Sequence, residues 1–499
     1  MSGNIIDYII IVAYLIGIAA IGIVSGGKQK SVKDYFLGSK VVPWWAVCFS
    51  IVATETSTLT FISIPGLAYL ANLNFLQVTF GYLIGRIIVA FVFLPAYSKG
   101  DLKTAYTFLE NRFGGKTRSF ASIVFLFTRM AADGVRLFAT AIPLKLMLNI
   151  HYPAAIVIIA CVALLYTYIG GVKGVIWTDV IQMFIYLGGA ILSAIFILHL
   201  LPNGWTDVVS AATLNNKLNI FNFGFDKGLS GFFDQPYTLI GGLIGGAFLS
   251  MASHGTDQLI VQRLLTTKTL KDSQKAIIGS GVIVIIQMAI FMMVGVMLFA
   301  YYGPLNVKSD EIFPMFIIRE LPTGLRGIII AGLFSAALGT LSGSISSLAS
   351  STMLDLYVPF FGKLDDDKKQ LQMSRFFTLM WAGLLVLAAI SFTAISRAVV
   401  EVALSIASFT YGGLLGTFLL GRFVKNARQE DALAGFVAGI FIMITVISLK
   451  LVAWTWFTLT GVIATLLIGS LLSALSQREY TDSKDNENYF SPKQKSNRL

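Results

Sequence analysis

The sequence predicts an all-α polytopic membrane protein with about thirteen transmembrane helices, arranged as two inverted repeats of five. Composition is the first observation behind this prediction: 56% of the 499 residues are hydrophobic and 13% are charged. The mean hydropathy of +0.77 is too high for a soluble protein of this length. The other two observations are recurring apolar runs and a pair of polar interruptions that lie five runs apart.

Runs of roughly 20 apolar residues, the length that crosses the hydrocarbon core of a bilayer, recur along the chain. The first run has no basic segment before it and no cleavage site after it, so we predict a retained span. A single transmembrane domain is predicted over residues 1–475, followed by a disordered cytoplasmic tail over 476–499. The predicted spans lie near 5–24, 43–70, 74–98, 119–149, 153–169, 174–200, 236–256, 276–302, 327–357, 371–395, 399–420, 431–449 and 451–475.

Positive charge predicts the orientation of these spans, because Lys and Arg are retained on the cytoplasmic side. Odd-numbered connections carry 21 Lys and Arg residues, whereas even-numbered connections carry 7. The N-terminus is therefore predicted outside, and the C-terminus inside, the cell (plasma or inner) membrane. The net charge of +11 reflects this topology, so we predict a lipid bilayer and no nucleic acid as a partner.

Enzyme chemistry has little support in the sequence. The segment GGKT at 114–117 has Glu110 where a phosphate loop requires its first glycine. The chain has three histidines and no HExxH pattern, which argues against zinc hydrolysis. A secondary transporter, a channel and a membrane sensor remain as classes, and none of them is an enzyme.

A run of hydroxyl side chains lies in the predicted helix near 327–357. Oxygens at this density are typical of a helix that faces a cavity and replaces the hydration shell of a small hard cation. A close helix–helix seam of small residues would give the same pattern. Both interpretations stay open for these nine residues: Ser335, Thr340, Ser342, Ser344, Ser346, Ser347, Ser350, Ser351 and Thr352.

Two other predicted spans carry polar interruptions of the kind found in discontinuous transporter helices. The second span contains ATETSTLTF at 53–61, followed by Pro65 and Gly66, and the seventh ends in SMASHGTDQ at 250–258. Unwound carbonyls at such breaks bind cations, although a bent helix with back-bonded hydroxyls would also fit. Because the breaks lie five spans apart, we expect two inverted halves with the substrate and the ion between them.

Ionisable residues inside predicted spans are costly and usually face a cavity or a partner. Asp133 and Arg136 are one helical turn apart, so they neutralise each other or Arg136 projects into a central site to bind an anionic group. His254 is either a satisfied core histidine or a substrate contact. The full set comprises Glu55, Arg86, Arg129, Asp133, Arg136, Asp179 and Asp355.

Several stretches together resemble the sodium/solute symporter family, which includes sodium-coupled carriers of glucose, proline, iodide, vitamins and sialic acid. The resemblance covers nearly the whole chain and combines glycine, WTD and TDQ motifs in order. The stretches are ATETSTLTFISIPG (53–66), GRIIVAFVFLPAY (85–97), IGGVKGVIWTDVIQ (169–182), GTDQLIVQRLL (255–265), LDLY (354–357) and SFTYGGLLGTFLLG (408–421).

This resemblance implies a LeuT-type fold with inverted repeats over about 43–200 and 236–420, and co-transport of sodium. A serine is usual at the position of Gly339, so one sodium ligand must come from a water, a carbonyl or a neighbouring serine. The main sodium site of the family carries over to carbonyls of the broken helix and oxygens of the hydroxyl-rich helix at Ala53, Thr56, Ala336, Gly339 and Thr340.

Some family members bind a second sodium ion at the WTD aspartate. Asp179 and Ser342 match that site, but Gly343 replaces a residue that often carries a hydroxyl. A local structural role for Asp179, near the loop that holds Lys173, is the alternative.

Substrate-facing positions of similar transporters also carry over to this sequence. The eighth span has no lysine and no tryptophan lies near His254, and both absences disfavour a sugar. Arg136 favours a carboxylate-bearing solute such as a sialic acid. The implied substrate contacts are Glu55, Ser57, Thr60, Gln77, Arg136 and His254.

The sequence therefore predicts sodium-coupled symport of a small organic solute into the cell by alternating access. A proton-coupled transporter, in which Glu55 or Asp179 titrates, is the alternative among transporters. A membrane sensor or channel that keeps the fold without accumulating solute is the alternative from another class.

Overall fold

A computed structural model of the chain is a bundle of helices, and it describes residues 5–99, 102–148, 150–225, 228–362, 366–392 and 399–490. Regular structure in these ranges is helical apart from an isolated bridge between Val42 and Thr267. The α-helices are α1 (Ile5–Gly26), α2 (Val32–Leu37), α3 (Trp44–Glu55), α4 (Thr58–Leu70), α5 (Leu76–Ile88), α6 (Leu94–Ser98), α7 (Thr107–Phe113), α8 (Gly115–Leu148), α9 (Tyr152–Leu200), α10 (Trp205–Leu214), α11 (Gly228–Asp234), α12 (Gly246–Gly255), α13 (Gln258–Leu264), α14 (Leu270–Tyr302), α15 (Ile312–Arg319), α16 (Leu325–Ser351), α17 (Val358–Phe361), α18 (Asp367–Ser391), α19 (Val399–Phe423), α20 (Gln429–Ser448) and α21 (Phe457–Phe490).

Wider and tighter turns join some of these helices. π-helical turns link α5 to α6, precede α12 and follow α16, and 3-10 turns follow α2 and precede α21. The last helix continues to Phe490, across part of the stretch for which the sequence predicts disorder, and residues 491–499 lie outside the described residues. These turns are Val89–Phe93, Gly241–Gly245, Thr352–Tyr357, Gly38–Lys40 and Trp454–Trp456.

Length and hydropathy make this a multi-pass membrane protein. Across the described ranges, eight helices are long and apolar enough to cross a bilayer, and α3 with α4 makes a ninth if counted as one bent span. At 1.5 Å per residue, the 49 residues of α9 extend about 74 Å, roughly twice the hydrocarbon thickness. Gly171 interrupts α9 with φ 57° and ψ −161°, where a Cβ would lie 2.8 Å from the carbonyl oxygen of Tyr35.

The predicted break in the second span is confirmed. Helix α3 ends at Glu55, α4 begins at Thr58, and the pair is bent by 67°. Thr56 and Ser57 have extended backbones, with ψ of 98° and 170°. Carbonyls at the end of α3 therefore meet a gap in the helical hydrogen-bond ladder, as required for a cation site built on a broken helix.

The predicted break at the end of the seventh span is also confirmed. Helix α12 ends at Gly255 and α13 begins at Gln258. Asp257 caps α13 by accepting a hydrogen bond from the Leu259 amide at 2.9 Å, which satisfies one of the free donors at the helix start. The helical segments of the second and seventh spans are thus both interrupted near buried polar groups.

The hydroxyl-rich helix α16 lies at the centre of the bundle, packed against α1, α8, α9 and α18. Of its most apolar stretch, 94% is buried, so the hydroxyls face protein rather than lipid. Several bond back to their own helix, for example Ser347 to the Ser344 carbonyl at 3.1 Å. Others reach neighbouring helices, as Thr340 does when it donates to the Thr54 carbonyl at 3.1 Å. Bonds within α16 and contacts with neighbouring helices therefore each account for part of the run.

Candidate functional site

A cleft opens between α4, α8 and α16, beside the break that follows α3. The cleft is narrow, with a cavity volume of about 10 Å³. The broken helix, the hydroxyl-rich helix and the charged face of α8 all contribute to its wall, so three features of the sequence meet in one place. The lining residues are Ser57, Asp133, Arg136, Leu137, Thr140, Ala337, Thr340 and Leu341.

Arg136 provides the exposed positive charge of this cleft. Its side chain is 24% exposed and its Nη1 donates to Asp133 Oδ1 at 2.9 Å. Asp133 is 1% exposed and has two further partners, Arg129 at 3.5 Å and the hydroxyl of Ser344. The predicted pairing is confirmed, yet Asp133 would remain partnered if Arg136 turned toward an anion in the cleft.

The charged face continues from the cleft to the second break. Arg129 forms an ion pair with Asp257, the cap of α13. The hydroxyl of Tyr411 donates to Asp257 at 2.8 Å and accepts from Arg129 at 2.9 Å. Asp257, Arg129, Asp133 and Arg136 thus form a row of alternating charges, buried apart from Arg136, whose formal sum is zero.

Of the predicted ligands of the main sodium site, Ala53, Ala336, Gly339 and Thr340 lie close together between α3 and α16. A Cβ on Gly339 would lie 3.5 Å from the Ala53 carbonyl oxygen, and Thr340 reaches the Thr54 carbonyl one residue on. Thr56 is buried, and its hydroxyl donates to the Val52 carbonyl at 2.8 Å. Ala336 is also fully buried. Backbone and side-chain oxygens of both helices therefore line a common seam.

Asp179, predicted for a second sodium ion, is fully buried and lies beside this seam. Its Oδ2 accepts from Ser50 at 2.5 Å, from Arg263 at 3.0 Å and from Thr54 at 3.4 Å. Its Oδ1 has no hydrogen-bond partner. The alternative of a local role near Lys173 is wrong, because the partners of Asp179 come from α3 and α13. Ser342 instead donates to the Gly339 carbonyl at 3.2 Å.

Arg263 was not predicted as a site residue, since it falls in a connection where Lys and Arg indicate orientation. It lies on α13 with 1% of its side chain exposed and pairs with Asp179. Gly343 makes room for it, because a Cβ there would lie 2.5 Å from Arg263 Nη2. The available signal was its position in an apolar segment directly after the second break.

Gln182 was also missed by sequence reasoning. It follows Asp179 by one helical turn and is fully buried. Its amide oxygen lacks a hydrogen-bond partner. A buried amide oxygen without a partner is unusual, and nothing in the sequence pattern marks it apart from the spacing to Asp179.

Glu55 and His254, both predicted as substrate contacts, lie together between the two breaks. Glu55 is 19% exposed and forms an ion pair with the fully buried Arg86. His254 Nε2 lies 3.5 Å from Glu55 Oε2, and Arg86 Nη1 donates to Ser280 at 2.7 Å. This cluster joins α3, α5, α12 and α14, and its partly exposed group is the Glu55 carboxylate.

The other two predicted substrate contacts lie differently. Gln77 is fully buried; its Nε2 donates to the Tyr237 carbonyl at 3.0 Å and its Oε1 accepts from the Asn222 amide at 3.0 Å. It therefore holds the segment that precedes α12. Thr60 is partly exposed on α4 and does not belong to the lining of the cleft.

Comparisons with known proteins identify the family. Residues 35–439 match the model of the sodium:solute symporter family. The sodium/sialic acid symporter NanT of Aliivibrio fischeri is 30% identical, over 94% of this chain and 93% of its own. The sodium/sialic acid symporter SiaT of Proteus mirabilis is 28% identical, over 97% of this chain and 98% of its own.

Solved structures extend the comparison to the fold. A Na+-coupled sialic acid symporter, in a substrate-bound outward-open state, matches with a TM-score of 0.87 and 27% identity, covering 95% of this chain and 98% of that chain. Mhp1, a nucleobase-cation-symport-1 family transporter, shares the fold with a TM-score of 0.57 and 12% identity, covering 89% and 95%. The chain therefore belongs to the sodium:solute symporter family and is a sodium-coupled solute transporter, not an enzyme.

Proposed function

We propose that this chain carries a sialic acid, or a closely similar carboxylate-bearing solute, into the cell with sodium by alternating access. The observation that carries the proposal is that Arg136 and Thr340 line the same cleft. A guanidinium binds a carboxylate through two parallel hydrogen bonds, and Thr340 is a proposed sodium ligand. The sialic acid symporters that align with nearly the whole chain support this solute class.

Charge balance supports coupling of the two ligands. The row of charges from Asp257 to Arg136 has no net formal charge, so a bound carboxylate adds one negative charge to the cleft. A sodium ion at the seam between α3 and α16 cancels it. Each ligand then raises the affinity of the other by the same factor. One sodium ion and one carboxylate together carry no net charge, so the sodium concentration gradient drives uptake and the membrane potential adds nothing.

We assign one sodium ion to the seam. A separate second ion at Asp179 lacks oxygens, because Gly343 carries no hydroxyl and Ser342 bonds to its own helix, so Asp179 is available to the one ion at the seam. Direct solute contacts are assigned to Arg136 and the cleft hydroxyl of Ser57, and further contacts to Glu55, Thr60 and His254. Gln77, predicted as a contact, is assigned instead to holding the segment that precedes α12. The sodium ligands are assigned to Ala53, Thr56, Ala336, Gly339 and Thr340.

The number and orientation of the membrane spans are also part of this proposal. We propose thirteen spans in the cell membrane, with the N-terminus outside and the C-terminus in the cytoplasm. Two five-helix inverted repeats cover about 43–200 and 236–420 within one domain that ends near 475. The length of α9, which suits two spans, and the breaks at α3/α4 and α12/α13 support this arrangement.

Thermal stability of the detergent-purified protein in NaCl and in KCl tests the proposal, because a ligand that binds the folded state raises the melting temperature. The panel contains sialic acids, sugars, amino acids, monocarboxylates and vitamins. We expect a rise in sodium and a further rise with a sialic acid only when sodium is present. Equal melting in both salts would contradict sodium binding, and a response to another compound alone would contradict the solute.

Proton coupling is the second candidate function, and the cluster of Glu55, Arg86 and His254 is the observation that favours it. Uptake driven by a pH step in sodium-free medium distinguishes it from sodium coupling. A non-accumulating channel or sensor of the same fold would show no uphill accumulation of solute in vesicles under a sodium gradient.

Replacement of Thr340 by alanine is expected to weaken the sodium response by about tenfold, because the hydroxyl is one of few side-chain oxygens at the seam. Solute recognition at saturating sodium should change much less, since Arg136 is untouched. The measurement is the sodium concentration that gives half of the maximal melting shift. Ser347→Ala is the matched control, because that hydroxyl bonds only within α16. Equal sodium dependence in the Thr340 variant and the parent would remove Thr340 from the ion site.

A further inference from the structure

Gly339 stands where three oxygens from three different residues converge. A Cβ at this position would lie 2.9 Å from Gln182 Oε1, 3.3 Å from Asp179 Oδ1 and 3.5 Å from the Ala53 carbonyl oxygen. The first distance is shorter than ordinary van der Waals contact, so the Gln182 amide fills the space that a side chain at 339 would need. The Gln182 amide therefore occupies the space left by the missing side chain of Gly339.

The oxygens at this point are short of partners. Gln182 Oε1 and Asp179 Oδ1 are buried and make no hydrogen bond. The Gln182 amide also lies beside the hydroxyls of Tyr14 and Tyr166. Tyr14 accepts from Ser335 at 2.8 Å and Tyr166 donates to the Leu338 carbonyl at 3.0 Å. Leaving a buried polar group unsatisfied costs about 1–3 kcal/mol, so two unpartnered oxygens that face one point indicate a ligand that satisfies them.

The chemistry of the group identifies that ligand as a cation. A carboxylate oxygen, an amide oxygen and a backbone carbonyl are the oxygens that hard cations prefer. Arg263 neutralises Asp179 through Oδ2, and Oδ1 on the other side of the carboxylate faces Gly339. The described residues contain no cluster of three or more His, Cys, Asp or Glu side chains, so a weakly held monovalent ion fits better than a transition metal.

We infer that Gln182 supplies the sodium ligand that a hydroxyl at position 339 would otherwise supply. The sodium ion then lies between Ala53, Asp179 and Gln182, with Thr340 at the adjacent position of α16. This inference rests on the proposed sodium coupling and names a ligand that the family pattern does not provide. It also explains why glycine is compatible with an ion site here: the longer amide from α9 replaces the missing serine.

The test removes the proposed oxygen ligand at position 182 and then restores one at position 339. Gln182→Met removes the oxygen with little change of volume, and we expect the sodium concentration for half-maximal melting shift to rise about tenfold. The double variant Gln182→Ala/Gly339→Ser moves the ligand back to α16, and we expect it to recover sodium affinity to within about threefold of the parent, since two ligands of one site are coupled. A Gln182→Met protein with the sodium affinity of the parent would overturn the inference.

Controls separate this inference from the proposed function and from misfolding. Gln262 is equally buried and donates to the Phe36 carbonyl at 2.9 Å, so Gln262→Met should lower stability in KCl without changing the sodium concentration dependence. A parent that melts equally in NaCl and KCl would refute the proposed function before any variant is compared. If Gln182→Met does not fold, Gln182→Asn withdraws the oxygen by one methylene and should weaken sodium binding in the same direction.

Discussion

Replacement of Arg136 by glutamine is expected to weaken binding of a sialic acid by at least about 100-fold, because it removes one partner of a desolvated charge pair. The guanidinium is the positive group that both lines the cleft and is partly exposed to it. The sodium-induced melting shift without solute should stay near that of the parent, since Arg136 does not belong to the seam between α3 and α16. Titration of the solute at saturating NaCl measures the effect.

The fold of this variant should be retained. Asp133 keeps Arg129 at 3.5 Å and the Ser344 hydroxyl when Arg136 is lost, so no buried carboxylate is left without a partner. Arg136→Lys keeps the charge without the two-pronged geometry and should lose about tenfold. Arg326→Gln is the matched control, because Arg326 is similarly exposed and pairs with Asp7 at 2.6 Å away from the cleft. Parent-like solute affinity in Arg136→Gln would exclude this arginine as the carboxylate site.

Local sequence patterns predicted the breaks and one ion pair correctly. Polar residues inside an apolar run predicted the bend between Glu55 and Thr58, which the structure confirms. Spacing of three residues on a helix predicted the contact between Asp133 and Arg136, which is also confirmed. Both predictions depend on residues close together in the chain, where helix geometry determines which side chains can meet.

Local sequence patterns could not predict contacts between helices that are distant in the chain. Asp179 and Arg263 are 84 residues apart, and their pairing depends on how α13 packs beside α3 and α9. The unpartnered amide oxygen of Gln182 is recognisable only when Gly339 is placed against it. Sequence reasoning assigned Gln77 to the solute from the family resemblance, whereas its hydrogen bonds to Tyr237 and Asn222 became visible only in the fold.

The number of spans shows a related limit. Hydropathy separates 153–169 from 174–200, but the backbone runs through both as α9 with a break at Gly171. Helix α8, which corresponds to the fourth predicted span, carries the row of charges that includes Arg129 and Arg136, and it is not among the helices that qualify by apolarity. The charges that make α8 useful for binding are the same ones that weaken its hydropathy signal.

Replacement of Arg263 by glutamine is expected to produce the largest loss of stability, about 3–5 kcal/mol in KCl, because it leaves a buried carboxylate without its counter-charge. Asp179 would keep only the hydroxyls of Ser50 at 2.5 Å and Thr54 at 3.4 Å. Sodium should restore part of this loss, since a cation bound beside Asp179 Oδ1 provides the missing charge; at a sodium concentration 100 times the dissociation constant the gain is about 2.7 kcal/mol. Melting curves in KCl and NaCl measure the loss of stability and its recovery by sodium.

A gain of stability in NaCl but not in KCl distinguishes an ion site at Asp179 from a general loss of stability. Arg118→Gln breaks another buried pair, with Asp355 at 2.8 Å, and should lower stability in both salts by the same amount. In Asp179→Asn/Arg263→Gln both charges are gone, so the double variant should be more stable in KCl than Arg263→Gln alone and should lose the additional sodium response. If Arg263→Gln melts with the parent's difference between NaCl and KCl, Asp179 does not contact the ion. If the double variant keeps the full sodium response, the seam between α3 and α16 binds sodium without Asp179, and the carboxylate serves only to hold α13 against α3 through Arg263.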